Sequence, residues 1–153
     1  MQRWVLFLYK VPPEPTARRV YVWRKLKRLG AILLHDAVWV LPATPYTVEQ
    51  FQWLAAEIEE LEGSAMVWEA TLRLESQDSA LADRFVAQAE AEYRAILAAL
   101  QRPDADRAAL SRQYQQARDR DYFHVALGTV VREALATSMS GDAEGRAEGG
   151  ETA

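Results

Sequence analysis

WVLFLYKV, residues 4–11, decides how the fold is interpreted, because it places apolar side chains on both faces of the strand that it predicts. One face carries Trp4, Leu6 and Leu8, and the other carries Val5, Phe7 and Tyr9. A strand that is apolar on both faces is typical of the buried interior of a sheet. We therefore expect this segment to be a central strand.

A helix and a second apolar segment follow this strand. Pro12, Pro13 and Pro15 end the strand, and a helix is expected with Thr16 as its cap and Gly30 as its terminator. Residues 31–41, AILLHDAVWVL, are again apolar and β-branched, but they are interrupted at residues 35–37. This interruption predicts either a bulge or a tight hairpin.

The next segment, TPYTVEQFQWLAAEIEELEG at residues 44–63, predicts the clearest helix. Thr47 and Gln50 fit a capping box, apolar residues recur at helical spacing, and Gly63 ends the helix. SAMVWEATLRL, residues 64–74, then predicts another strand. The order β-α-β(β)-α-β indicates an antiparallel α+β sandwich of the ferredoxin-like type.

The remaining residues predict helices and a polar tail. A long helix, a turn at residues 102–104, a second helical stretch and a final short helix are expected up to residue 139. Residues 140–153, SGDAEGRAEGGETA, are Gly-rich and acidic, which predicts disorder. The predicted division is a ferredoxin-like domain at 1–75, a helical extension at 76–139 and a disordered tail at 140–153. Either the extension or a homodimer packed sheet to sheet is expected to cover the second face of the sheet.

Composition limits the environment and the chemistry. The 153 residues are 50% hydrophobic and include no cysteine, so disulfides and thiolate metal sites are excluded. No apolar run approaches the roughly 20 residues that span a bilayer, and the first residues do not resemble a signal peptide. We expect a cytoplasmic protein that makes no membrane contact.

The basic residues are concentrated near the start of the chain. The net charge is −4, yet residues 1–30 contain eight Lys or Arg side chains against one acid, Glu14, and so carry +7. At 100° per residue, the inner side of the first helix is expected to hold Val22, Trp23, Leu26 and Leu29. Arg19 falls within this apolar stripe. The opposite arc is expected to hold Arg18, Arg24, Lys25 and Arg28, with Lys27 at its edge. Such an arc suits phosphate contacts, and it also suits an ordinary solvated face.

Aromatic residues offer a second candidate for nucleic-acid contact. The five tryptophans, which fall one per element and are therefore expected in the core, are Trp4, Trp23, Trp39, Trp53 and Trp68. Tyr21 lies on the basic side of the first helix, and it is the better candidate for stacking on a base.

Signals for metal binding or catalysis are weak. His35 and His124 are far apart in the sequence, whereas a zinc site needs three or four ligands. The glutamates at positions 57, 59, 60 and 62 fit the outer face of an amphipathic helix. No Gly-rich phosphate loop, nucleophile elbow or zinc-protease motif occurs. We expect no catalytic residues, no metal site and no cofactor.

Several of these segments together resemble a known family. PTARRVYVWRKLKRLGA, DAVWVLP and AMVWEA follow a proline-bounded loop in the order that is found in the N-terminal domain of ChrB, the chromate-resistance regulator family. The resemblance is close over residues 4–70 and looser as far as RDYF, Arg120–Phe123. It implies a transcriptional regulator that binds double-stranded operator DNA. The matched basic residues that would contact DNA are Arg18, Arg19, Arg24, Lys25, Lys27 and Arg28.

The resemblance also has departures. Family members usually carry a C-terminal domain linked to chromate sensing, whereas this chain ends in a polar tail. We therefore expect either a stand-alone short relative or one half of a split pair that acts with a separately encoded chromate-sensing domain. More distantly, the layout resembles phenylacetate-catabolism repressors and a small CRISPR-associated nuclease. In that nuclease a metal-binding aspartate ends the first strand, where this chain has Lys10. An ammonium group cannot replace a carboxylate ligand, so we expect no enzyme activity.

Three functions fit the sequence. The leading interpretation is a DNA-binding regulator that acts as a homodimer. The alternative is a protein-interaction module whose basic helix docks an acidic partner, such as a separate sensor domain. The third is an oxyanion-binding domain in which the same arginines hold chromate, and it ranks last because these arginines do not converge on one point.

Overall fold

The computed structural model describes residues 1–36 and 38–148, with side chains described through residue 137. In chain order the elements are β1 (Trp4–Lys10), α1 (Thr16–Arg28), β2 (Ile32–Leu34), β3 (Val38–Pro42), α2 (Pro45–Glu60), β4 (Ser64–Ala70), α3 (Glu75–Leu100), α4 (Arg107–Asp119) and α5 (Leu127–Glu148). β2 and β3 form a hairpin rather than one bulged strand, because they pair antiparallel with Leu34 opposite Val38.

The four strands form one antiparallel sheet in the order β2-β3-β1-β4. β1 pairs with β3 on one side and with β4 on the other, so it is the central strand that its apolar faces predicted. The α+β class is confirmed, and the element order and strand order are consistent with a ferredoxin-like arrangement.

The inner face of the sheet is its helix-covered side. Val5 and Phe7 of β1 are fully buried there, and the Phe7 ring lies 4.9 Å from the ring of Phe51 in α2, centroid to centroid. Residues directly opposite each other in antiparallel strands share a face, so Trp39 and Val67, which both pair with Phe7, lie on this side as well.

The outer face is buried at one end and exposed near β4. Trp4 is buried, and its indole Nε1 donates a 2.8 Å hydrogen bond to Oδ1 of Asp78, near the start of α3. Leu6 and Leu8 lie further along β1 and are half-buried. Their partners in β4, Trp68 and Met66, are 54% and 55% exposed. An apolar surface therefore extends to the edge of the sheet.

The start of α2 corrects the predicted capping box. Thr44, not Thr47, is the N-cap, because its hydroxyl accepts from the backbone N–H of Thr47 at 3.1 Å and the Thr47 hydroxyl accepts from the backbone N–H of Thr44 at 2.9 Å. Thr47 is fully buried and also donates to the carbonyl of Pro42 at 2.6 Å. The predicted cap of α1 is also wrong, since α1 follows Pro15 and has no side-chain cap.

Residue contacts group the chain into a first unit, Met1–Ala82, and a second unit, Asp83–Ala153. The core of the second unit consists of Ala89, Tyr93, Ile96, Leu110, Tyr114, Ala117, Val131 and Leu135. Beside this core, the Tyr93 hydroxyl donates a 2.9 Å hydrogen bond to the buried carboxylate of Asp121. The backbone N–H of Val125 donates to the same carboxylate at 3.1 Å. The buried charge is therefore hydrogen-bonded.

The last helix is longer than the short helix that the sequence predicted. It runs from Leu127 to Glu148 and thus includes residues 140–148, for which the composition predicted disorder. This stretch has no proline, and its alanines and glutamates are strong helix formers, although its two glycines, Gly141 and Gly145, are not. Residues 149–153 of the predicted tail lie outside the described residues. Among the described helices, none has the length and apolar character that crossing a bilayer requires.

Candidate nucleic-acid interface

Helix α1 is anchored by a narrow apolar strip. Val22 and Leu26 are fully buried, and they are the two buried residues of this helix. They lie one turn apart, so they set the direction that faces the first unit's core. The helix ends at Arg28 with Leu29 as its C-cap, and the next residue, Gly30, has a φ of 79°, a left-handed conformation that glycine adopts without strain.

Arg18 is the cation of α1 that the fold holds in place. Its Nη1 donates to the carbonyl oxygen of Leu61 at 3.2 Å and lies 3.5 Å from Oε2 of Glu62. Its side chain is 27% exposed. The prediction that Arg18 faces away from the apolar stripe is therefore wrong. Arg18 lies one turn before the buried Val22, on the side of the helix that packs against the rest of the first unit.

Arg19 is exposed, which differs from its prediction. The apolar stripe placed it facing inward, whereas the structure leaves it exposed. The stripe was drawn through Trp23, and Trp23 is itself 50% exposed. Arg19 and Trp23 are one turn apart and therefore share a side of the helix. Predicting that Trp23 faces inward thus led to the same wrong prediction for Arg19.

The remaining cations form the exposed surface of the helix. We call Arg19, Arg24, Lys27 and Arg28 the basic face, because all four are exposed and none of them forms an ion pair with a carboxylate of the described residues. Lys25 is half-buried and lies at the border of this face. Of the six predicted contact residues, four are therefore exposed, Lys25 is at the border and Arg18 is held by contacts with its own chain.

Aromatic rings accompany the cations in two rows. In the first row Trp23 lies between Arg19 and Lys27, and the Lys27 Nζ is 5.8 Å from the Trp23 ring centroid. In the second row Tyr21 precedes Arg24 and Arg28, and it is 42% exposed. The Lys25 Nζ is 5.6 Å from the Tyr21 ring. The exposed surface of α1 thus combines positive charge with flat apolar area.

Three of the five tryptophans lie outside the core that the sequence predicted for them. Trp4 and Trp39 are buried, but Trp23, Trp53 and Trp68 are between 50% and 65% exposed. Their even spacing along the chain places each tryptophan in a different element. It does not show which of these side chains another element covers. Indole tolerates partial exposure because it joins a large apolar ring to a polar N–H group.

An acidic helix borders the basic face. The Tyr21 hydroxyl donates a hydrogen bond to Glu57 of α2. This hydrogen bond is the largest cause that raises the pKa of Tyr21 above its usual value, while the charge of Arg28 acts in the opposite direction. Glu59, Glu60 and Glu62 are exposed, as their amphipathic spacing predicted. A polyanion would therefore contact α1 and be repelled by the neighbouring end of α2.

Neither histidine belongs to helix α1. His35 lies in the β2–β3 turn with φ of 47°, and His124 lies in the second unit between α4 and α5. Within the described part of the chain, no group of three or more His, Asp or Glu side chains is arranged to hold a metal ion.

Comparison with known proteins gives a family match that includes most of α1. The family model described as Protein ChrB, N-terminal, matches residues 19–105. The curated Protein ChrB of Cupriavidus metallidurans is 32% identical to this chain over 93 residues, which are 61% of this chain and 25% of that protein. The matched region is thus about a quarter of that relative. No solved structure matches this chain.

Proposed function

Because the chain belongs to the ChrB N-terminal family, we propose that it is a chromate-resistance-type transcriptional regulator that binds double-stranded operator DNA through the basic face of α1. The observation that carries this proposal is the set of four exposed cations without a carboxylate partner among the described residues. In this proposal the protein acts in the cytoplasm as a binding protein rather than as an enzyme.

The basic face fits a phosphate backbone better than it fits a single small anion. Arg24 and Arg28 lie one turn apart, which is a rise of about 6 Å, while Arg19 and Lys27 lie along a separate row. Cations spread over two rows contact several phosphates of a duplex more readily than they enclose one oxyanion. This spread supports DNA as the ligand in preference to direct chromate binding by the same arginines.

The net charge of −4 predicts that DNA binding is local to α1 and sensitive to salt. Each phosphate contact releases counterions and adds about 0.9 to the slope of log K against log salt concentration. Four contacts by one helix give a modest slope, and a second copy of the chain would double it. Arg18 is expected to contribute less, because Leu61 and Glu62 already bind its guanidinium group.

The test is a fluorescence anisotropy titration with duplex DNA from the upstream region of the protein's own operon, at several salt concentrations. We expect Arg24→Ala combined with Arg28→Ala to weaken binding at least about tenfold and to lower the salt slope by about two units. The melting temperature should stay nearly constant, because both side chains are exposed.

The matched control removes the same charge from the second unit. Arg102→Ala combined with Arg112→Ala also deletes two exposed arginines, so it changes the net charge equally while leaving α1 intact. We expect this control to bind DNA nearly as the parent does. If the α1 variant binds no more weakly than this control, the basic face is not the DNA contact.

The second candidate function is docking to an acidic protein, such as a separate chromate-sensing domain. The half-exposed Trp23 ring beside Lys27 favours it, since Trp and Arg are enriched among the residues that dominate protein interfaces. Trp23→Ala separates the two functions. Phosphate contacts by the cations should largely survive this change, whereas docking on the ring should be lost.

A further inference from the structure

The two edges of the sheet differ in how they are protected. β2, at one edge, has three residues, whereas β4, at the other edge, has seven and pairs only with β1 among the described strands. Exposed edge strands are usually shortened, or interrupted by lysine, proline or a bulge, because free backbone N–H and C=O groups recruit other strands. The sequence SAMVWEA contains no lysine and no proline. β4 therefore has an open edge without these protections.

Apolar side chains continue up to this open edge. Met66 and Trp68 project from the outer face and are 55% and 54% exposed, and the half-buried Leu6 and Leu8 lie opposite them in β1. The side chains on the inner face, Ala65 and Val67, are half-buried. A partner strand alongside β4 would remove both its backbone groups and these outer side chains from water.

The sequence of β4 is complementary to itself. A two-fold axis through Val67 would place Met66 opposite Trp68 of the second copy, and Trp68 opposite Met66. The same register pairs Ser64 with Ala70 and Ala65 with Glu69. Sulfur and aromatic rings make favourable contacts, and the single charge, Glu69, already pairs with Arg3 of its own chain at 2.9 Å. No like charges face each other in this register.

We propose that the β4 edge is a homodimer interface, in which two copies pair β4 antiparallel about Val67 and join their sheets into one of eight strands. An identical copy fits this edge, because the register about Val67 pairs Met66 with Trp68 twice and opposes no like charges, as a two-fold contact requires. This proposal does not depend on DNA binding, since it uses neither α1 nor the basic face.

The first measurement is the mass of the full chain in solution by sedimentation equilibrium. We expect the parent to approach twice its 17.3 kDa as its concentration rises. Met66→Glu combined with Trp68→Glu places two pairs of carboxylates in opposition, and it should raise the dissociation constant about a hundredfold or more. A chain that stays monomeric, or a dimer that this variant does not weaken, overturns the proposal.

A charge-swapped variant tests the register itself. Met66→Lys combined with Trp68→Glu places a lysine opposite a glutamate at both pairs, so it should dimerise more tightly than the double glutamate variant. Both variants substitute the same exposed positions, which controls for changes in folding. If they are equally monomeric, the antiparallel register about Val67 is wrong.

Cysteine cross-linking distinguishes edge pairing from packing of the two outer faces. The chain has no cysteine, so Val67→Cys introduces a single thiol, which would lie next to its own copy across the axis. Opposed residues in antiparallel strands approach within the Cα separation that a disulfide permits. We expect oxidation to give a covalent dimer, whereas the exposed control Trp53→Cys should not. Packing of outer faces would leave residue 67, on the inner face, without a cross-link.

Discussion

At residue 18 and residue 19, two neighbouring arginines have opposite environments. Arg18 reaches the carbonyl of Leu61 and the carboxylate of Glu62, while Arg19 faces solvent. Consecutive helical residues point 100° apart, so a small error in the direction of the apolar side exchanges them. Val22, Leu26 and the half-buried Leu29 together fix that direction in the structure, and these aliphatic residues were a safer guide to it than Trp23.

This difference predicts that alanine substitutions at the two positions affect different properties, stability at Arg18 and DNA binding at Arg19. Arg18→Ala should lower the free energy of unfolding by about 0.5–1 kcal/mol, because it removes a partly buried hydrogen bond and a weak ion pair. Arg19→Ala should leave stability within about 0.5 kcal/mol of the parent and should weaken DNA binding instead. Urea unfolding and anisotropy on both variants check this, and equal stability losses would contradict the assignment of Arg18 as the anchored residue.

Tyr93 and Asp121 form the buried polar pair of the second unit. Burial, followed by the hydrogen bond to Asp121, raises the pKa of Tyr93 well above its usual 10.0. The folded protein therefore holds the phenolic proton more tightly than the unfolded chain does. The resulting stability is fully present below pH 10.0 and decreases as the pH rises above that value.

Tyr93→Phe should change both the level and the pH dependence of stability. We expect a loss of about 1–3 kcal/mol at neutral pH, because the buried Asp121 carboxylate loses the hydrogen bond from the Tyr93 hydroxyl. Above pH 10.0 the parent should lose stability faster than the variant, so their difference should narrow. Urea unfolding at neutral and alkaline pH measures both effects, with the half-exposed Tyr46→Phe as the control that shows neither.

At the scale of the elements, the two helices of the first unit start differently. α2 begins with a reciprocal pair of hydroxyl caps at Thr44 and Thr47, whereas α1 has no side-chain cap. The sequence contained the correct signal in Pro45, since proline is favoured at the first helical position directly after a cap. The Thr47–Gln50 pattern competed with this signal and placed the cap three residues too late.

The caps give a matched pair of substitutions. Thr44→Ala should destabilise the protein by about 1 kcal/mol, because it leaves the N–H of Thr47 without its acceptor. Thr16→Ala changes the same residue type at the start of α1, where no side-chain cap exists, and it should be nearly neutral. Thermal melts of the two variants should therefore separate, and coincident melts would show that the α2 cap contributes little.

For the molecule as a whole, local sequence periodicity predicted the order of strands and helices through β4 and the central position of β1, while the resemblance of several segments to known proteins predicted the family. These features depend on each segment's own pattern. The exposed tryptophans, the inward direction of α1 and the partner of Arg18 depend on which neighbouring element covers a side chain. That information arises only when segments distant in sequence pack together, so a helical wheel drawn for one segment cannot contain it.

The contrast between the two sheet edges also limits how far association can proceed. Were two chains to join along β4, each end of the combined sheet would present β2, whose three residues offer few backbone groups for further recruitment. Each chain would then have one edge strand that pairs, β4, and one edge strand that is too short to recruit another chain, β2. Association would stop at the dimer, so fibrous polymers would not form.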